Sequence, residues 1–110
     1  MAHRSAKRYT VLLGVRKRQE DLKGQALAVV RREHATLRHQ RRELDEHRRG
    51  VLKQAAIAPG TRFEPARQHV LYQYERHLGK LTDAKDAEIA LHGQKVQAAR
   101  AELETAMARR

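Results

Sequence analysis

The stretch Ala58-Pro59-Gly60-Thr61-Arg62-Phe63-Glu64-Pro65 holds both prolines of the chain and its one Pro-Gly pair. Pro59 cannot continue a helix, and Gly60 admits a positive φ. Thr61 and Glu64 have capping-box spacing, and Pro65 is tolerated only in a first helical turn. The spacing predicts a turn over about residues 58–64. It joins helix 1, about residues 8–57, to helix 2, about residues 65–109. One kinked helix would leave a narrow apolar stripe uncovered unless a second chain supplied the cover.

Outward from the turn, apolar residues recur in steps of three and four. Before it the expected seam runs Leu12, Val15, Gln19, Leu22, Ala26, Val30, Glu33, Leu37, Gln40, Leu44, His47, Val51, Ala55. After it the seam runs Leu71, Tyr74, Leu78, Leu81, Lys85, Ile89, His92, Val96, Ala99, Leu103, Ala106. Alternating three- and four-residue steps are the heptad signature. A doubled four-step at Ala26–Val30 and another at Leu81–Lys85–Ile89 read as stutters, which fall at similar heights when the chain is folded at the turn. Each helix of about 45 residues would be roughly 65–70 Å long. The expected fold is all-α: one domain, an antiparallel coiled-coil hairpin. Polar seam residues, with Gly24, Gly50, Gly79 and Gly93 at about 1 kcal/mol each, predict marginal stability that a partner would raise.

Composition agrees. Of 110 residues 40% are apolar, many of them alanine, with no tryptophan and a single Phe63. That is too little bulk for a globular core. Charged residues make up 34%, the balance of long helices. No cysteine is present, which excludes disulfides and thiolate metal sites. No apolar run approaches the ~20 residues of a membrane span. A cytoplasmic protein, or one held at a membrane surface by a partner, is expected.

The net charge is +11, with 15 Lys/Arg against 6 Asp/Glu in residues 1–60 and 9 against 7 in residues 61–110. Such a field favours acidic partners, nucleic acid or anionic lipid without choosing among them. The pairs Arg31-Arg32, Arg41-Arg42 and Arg48-Arg49 recur along helix 1 with seven-residue relations that make stripes. A solvated coiled-coil face is the ordinary reading, and no aromatics interleave the stripe to stack on bases. No phosphate-binding glycine loop, zinc motif or catalytic constellation occurs, so neither enzyme activity nor a cofactor is expected. Of the seven histidines, His69 and His77 could share a helix face, a weak metal candidate. Phe63, Tyr72 and Tyr74 cluster near the turn. Tyr72 and Tyr74 are ~200° apart on a helix, so at least one ring should point outward as a partner anchor.

The opening Arg8-Tyr9-Thr10-Val11-Leu12-Leu13-Gly14-Val15-Arg16-Lys17-Arg18-Gln19-Glu20-Asp21 resembles the start of the flagellar export protein FliJ family. The segment Leu71-Tyr72-Gln73-Tyr74-Glu75-Arg76-His77-Leu78-Gly79-Lys80-Leu81 resembles that family's sequence after its turn. The resemblance implies a stalk-like coiled coil of the type III flagellar export apparatus. Such a protein contacts the hexameric export ATPase and the membrane export-gate protein and escorts export chaperones. It would lie in the cytoplasm, peripheral to the cell membrane at the flagellar base, and serve motility. It implies a gate-binding surface on Gln40, Leu44, His47 and Val51 of helix 1 and Tyr74, Leu78, Leu81 and Lys85 of helix 2. Those residues coincide with the expected seam, so core and contact surface stay unseparated. A stalk inserted into an ATPase ring would use the terminal halves of both helices, with Arg16, Lys17, Arg18 and Arg100 meeting acidic loops. Lys23, Lys95, Arg109 and Arg110 lie in the same halves. Rival readings are the equivalent stalk of a virulence-type secretion system, a basic helical-hairpin nucleic-acid arm, and a generic homodimerising coiled coil.

Overall fold

The computed structural model describes the backbone of residues 2–56, 60 and 62–109, and the side chains of residues 6–56, 60 and 62–109. The fold is all-α. Helix α1 spans Ala2–Ala55 and helix α2 spans Pro65–Ala108. α1 begins well before residue 8, because nothing in the alanine- and arginine-containing stretch ahead of it breaks a helix. Gly60 has φ +81°, the left-handed conformation that glycine adopts without strain. Pro65 opens α2, where its missing N–H is not needed. The capping-box pair involves Thr61, which lies outside the described residues, as do Ala58 and Pro59. The end of α1 is closed from the other helix. Gln68 Nε2 donates to the Ala55 carbonyl at 2.8 Å, satisfying one of the acceptors a helix terminus leaves open.

Contacts group the chain into two units, Ala35–Ala90 and Met1–His34 with Leu91–Arg110. In the first, α1 and α2 pair antiparallel, with Arg41 against Asp86, Arg48 against Glu75 and Gln40 against Lys85. Val51, Ala55, Leu78 and Thr82 are buried between the helices, and Leu37, Leu44, Leu71 and Ile89 are half-buried. Buried Thr82 satisfies its hydroxyl by donating to the Leu78 carbonyl at 2.8 Å, so it costs the seam little. In the second unit the pairing is again antiparallel, with Lys23 against Glu102 and Glu33 against His92. Its buried residues are Glu20, Leu27 and His92.

The seam differs from the expected one. Along α1 the less exposed positions run Glu20, Gly24, Leu27, Val30, His34, Leu37, Arg41, Leu44, Arg48, Val51, Ala55, with Asp45 beside Leu44. Along α2 they run Gln68, Leu71, Glu75, Leu78, Thr82, Lys85, Ile89, His92, Val96, Ala99, Leu103, Ala106. Gly79 and Gly93 are half-buried beside the α2 row, and neither row has the doubled four-step expected at Ala26–Val30 or at Leu81–Lys85–Ile89. Glu33, Gln40 and His47 are exposed, and their neighbours His34, Arg41 and Arg48 take the seam positions. Tyr74 and Leu81 likewise give way to Glu75 and Thr82. The reason is that long arginine stems can lie along an apolar seam while their heads reach carboxylates on the facing helix. Asp86 does this for Arg41 at 3.0 Å, and Glu75 for Arg48. Asp86, with Asp45 and Asp83 adding to it, also raises the Arg41 guanidinium above the ordinary arginine value. The expected seam of the first turns fails outright. Leu12, Val15 and Leu22 are exposed and lie off the seam that Leu27 continues.

Candidate partner-binding face

The Ala35–Ala90 unit has two unlike flanks. One carries the ionic bridges Arg41–Asp86 and Arg48–Glu75. Asp45 extends that flank by bridging Arg41 at 3.6 Å and Arg49 at 3.0 Å. The other flank carries a lysine shared between an amide and a carboxylate, and an aromatic contact. The Lys85 ammonium donates to the Gln40 carbonyl oxygen at 3.1 Å and to Glu88 at 3.0 Å. Tyr74 Oη lies 3.3 Å from His47 Nε2, and the two rings meet edge-to-face with centroids 5.4 Å apart.

The eight residues that the resemblance assigns to the gate all belong to this unit, and they divide into two roles. Val51 and Leu78 are core, at 5% and 3% exposure. Leu44 and Lys85 are half-buried. Gln40, His47, Tyr74 and Leu81 stand outside the seam, with Tyr74 at 40% and Leu81 at 41% exposure. The exposed four lie along the second flank. The structure pairs Gln40 with Lys85 and His47 with Tyr74, whereas Leu78 and Val51 can act on a partner only through the positions of these neighbours.

A groove of about 610 Å³ runs beside Tyr74, lined by Glu43, Glu46, His47, Gly50, Val51, Gln54 and Leu71. Gly50 borders open space there, since a Cβ would meet no atom within 4 Å. Glu43, Glu46, Gly50 and Gln54 were not singled out for binding by the sequence reading. The signal was Gly50 itself, a glycine inside a helix with no conformational need for one. Tyr72 and Phe63 are both exposed, so rings near the turn point to solvent in addition to Tyr74. That is the apolar, partly desolvated character of a contact anchor.

In the other unit Arg16, Lys17 and Arg18 are exposed on α1, and Arg100 is exposed on α2, paired with Glu104 at 3.1 Å. They do not form one patch. The facing pairs 23 with 102 and 33 with 92 put Arg100 level with residue 25, roughly 10 Å along the axis from Arg18 at 1.5 Å per residue. Lys23 is held by Glu102 at 2.8 Å, and Arg110 lies outside the described residues.

The same unit holds a histidine layer. His34 and His92 stack with centroids 5.6 Å apart and planes 24° apart, and His92 Nε2 lies 3.0 Å from a Glu33 carboxylate oxygen. The Nδ1 atoms of both rings are buried without a hydrogen-bond partner. His69 and His77 are exposed on α2. Among the described residues no group of three or more His, Cys, Asp or Glu is placed to hold a metal ion. No helix among them is long and apolar enough to cross a membrane. No family model matches the chain, and no curated protein or solved structure is significantly similar to it.

Proposed function

We propose that this chain is a stalk-and-escort coiled coil of a flagellar-type protein export apparatus. It acts by binding, with no chemistry of its own. Its partners are a hexameric export ATPase, the cytoplasmic part of a membrane export gate, and export chaperones. These would hold it peripherally at the cytoplasmic face of the membrane. One observation carries the reading. Of the residues assigned to gate contact by resemblance, Gln40, His47, Tyr74 and Leu81 are exposed along one flank beside a groove, outside the seam that holds the hairpin together. A contact face on that flank is compatible with the fold, because engaging it does not require the helices to part.

The test separates binding from folding. Tyr74→Ala and Leu81→Ala should each weaken capture of the gate's cytoplasmic domain by about tenfold, the loss of an aromatic or aliphatic anchor. Circular dichroism melts should stay within a few degrees of wild type. Unchanged capture by both variants removes the gate role. Leu78→Ala is not a clean probe, since it hollows the core.

At the other unit, Arg16, Lys17 and Arg18 are the candidate ATPase contacts. Their combined reversal to Glu should abolish stimulation of the cognate ATPase while leaving helicity intact. Wild-type protein that fails to stimulate that ATPase removes the stalk role. The equivalent stalk of a virulence secretion system has the same partner chemistry, and the ATPase that responds decides between them.

A further inference from the structure

The first turns of α1 hold a second heptad stripe that the hairpin does not use. Leu12, Val15, Gln19, Leu22 and Ala26 follow three–four spacing, but in a different phase from the seam that holds Glu20 and Leu27. Leu12, Val15 and Leu22 are 55%, 46% and 58% exposed. Where α2 runs alongside, the stripe does not stand alone. Gln19, Leu22, Lys23 and Ala26 form a groove of about 620 Å³ with Ala101, Glu102, Thr105, Ala106 and Arg109. Its floor is Leu22 and three alanines, small enough to let another helix approach closely. At the register set by Lys23 and Glu102, Ala108 is level with Lys17, and the stripe extends from the groove past that level along α1 toward Leu12.

The charged residues at the stripe's own flanking positions are all cations. Its flanking heptad positions are Arg16 and Lys23 on one side and Val11, Arg18 and Gln25 on the other, and Arg109 adds a cation from α2. The carboxylate in the groove, Glu102, is bound by Lys23 at 2.8 Å. Flanking charges of a heptad stripe select partners by opposite sign.

We propose that this stripe and groove dock an amphipathic helix with acidic flanks from another protein, packing as a third helix against α1 and α2. A second copy of this chain is a poor occupant. It would bring its own basic flanks and a net charge of +11. An anionic lipid surface is also a poor fit. Tyr9 and Leu13 fall off the stripe, and cations interrupt the apolar arc instead of lying opposite it. The proposal does not rest on the export role, since it follows from the phase of the stripe and the sign of its flanks.

The probe is a fluorescein-labelled three-heptad peptide with Leu and Ala on its stripe and Glu in its flanking positions. A Lys-flanked version and a scrambled acidic version serve as controls. Anisotropy titrations use the full chain at about 0.15 M salt, where long-range attraction is screened. The acidic amphipathic peptide should bind at least about ten times more tightly than either control. Leu22→Glu and Leu12→Glu should each weaken it about tenfold without moving the urea midpoint, because both side chains are exposed. Equal binding of the scrambled acidic peptide overturns the proposal in favour of bare charge attraction. So does binding that Leu22→Glu leaves untouched, or no binding at all. Self-association in the ultracentrifuge that Leu22→Glu abolishes would give the site to a second copy. Leu22-dependent flotation with phosphatidylglycerol vesicles would give it to a membrane. Either result overturns the acidic-helix reading.

Discussion

The two units use the same two helices and solve the packing problem differently. In Ala35–Ala90, apolar residues sit where the seam needs them: Leu37, Leu44, Val51 and Ala55 from α1, and Leu71, Leu78 and Ile89 from α2. Arg41 and Arg48 close one flank by reaching Asp86 and Glu75. In Met1–His34 with Leu91–Arg110, the seam mixes Glu20, His34 and His92 with Leu27, Val30, Val96 and Leu103, while Leu12, Val15 and Leu22 face solvent. Apolar content does not separate them. Phase does: in one unit the apolar residues of the α1 stripe point at α2 throughout, and in the other only Leu27 and Val30 do, while Leu12, Val15 and Leu22 lie off the seam.

Stability measurements can break this comparison. The largest contrast is between Leu78→Ala and Leu22→Ala. Leu78 is 3% exposed and should cost about 2–3 kcal/mol in urea unfolding, the usual loss for a buried leucine. Leu22 is largely exposed and should stay within about 0.5 kcal/mol. Equal losses would mean that Leu22 belongs to a seam after all.

The next effect has the opposite sign. Replacing both members of the histidine layer, in a His34→Leu, His92→Leu variant, removes two buried Nδ1 atoms that have no partner. The gain should be about 1–2 kcal/mol, since buried polar groups without partners are net costs that apolar side chains of similar size remove. Glu33 loses its contact with His92, but its side chain is 60% exposed and is resolvated by water. A loss of stability would show that the histidines hold the unit together, and the contrast with Ala35–Ala90 would then be of kind and not of degree.

Smaller still is Gly93→Ala. A Cβ there would meet nothing nearer than His34 Cε1 at 3.9 Å, so the full helix-propensity gain of up to about 1 kcal/mol should appear in the melt. A destabilised Gly93→Ala protein would place the helices closer together at that layer. Smallest is the stability effect of Tyr74→Ala. Its half-exposed ring loses one edge-to-face contact with His47, so the change should be under about 1 kcal/mol. A much larger loss would turn the flank of Tyr74 and His47 into core and remove the separation of exposed flank from seam.

Much of this was legible beforehand. The prolines and Gly60 located the connection, and the three–four spacing identified two helices that face each other. The correspondence of seam and contact residues was the part that misled. Gln40, His47, Tyr74 and Leu81 satisfy the same spacing as Leu44, Val51 and Leu78, so one stripe was read where the structure has a seam and a flank. The apparent stutter at Ala26–Val30 was a real phase change, but it marks where the apolar stripe leaves the seam.

By itself the sequence determined the helices, the break between them, the period of their packing and the basic character of the first half. Those follow from local propensity, chain stiffness and composition, which do not depend on what lies across the interface. Only the tertiary structure decided the phase. On α1 the choice between Glu33, Gln40 and His47 and their neighbours His34, Arg41 and Arg48 is a tie in hydropathy, because all six are polar. It was broken by groups distant in the chain: Asp86 and Glu75 give Arg41 and Arg48 somewhere to put their charge, and His92 gives His34 a ring to stack on. A side chain's place in a seam is set by the partner that can satisfy its polar end, and that partner is known only once the second helix lies alongside.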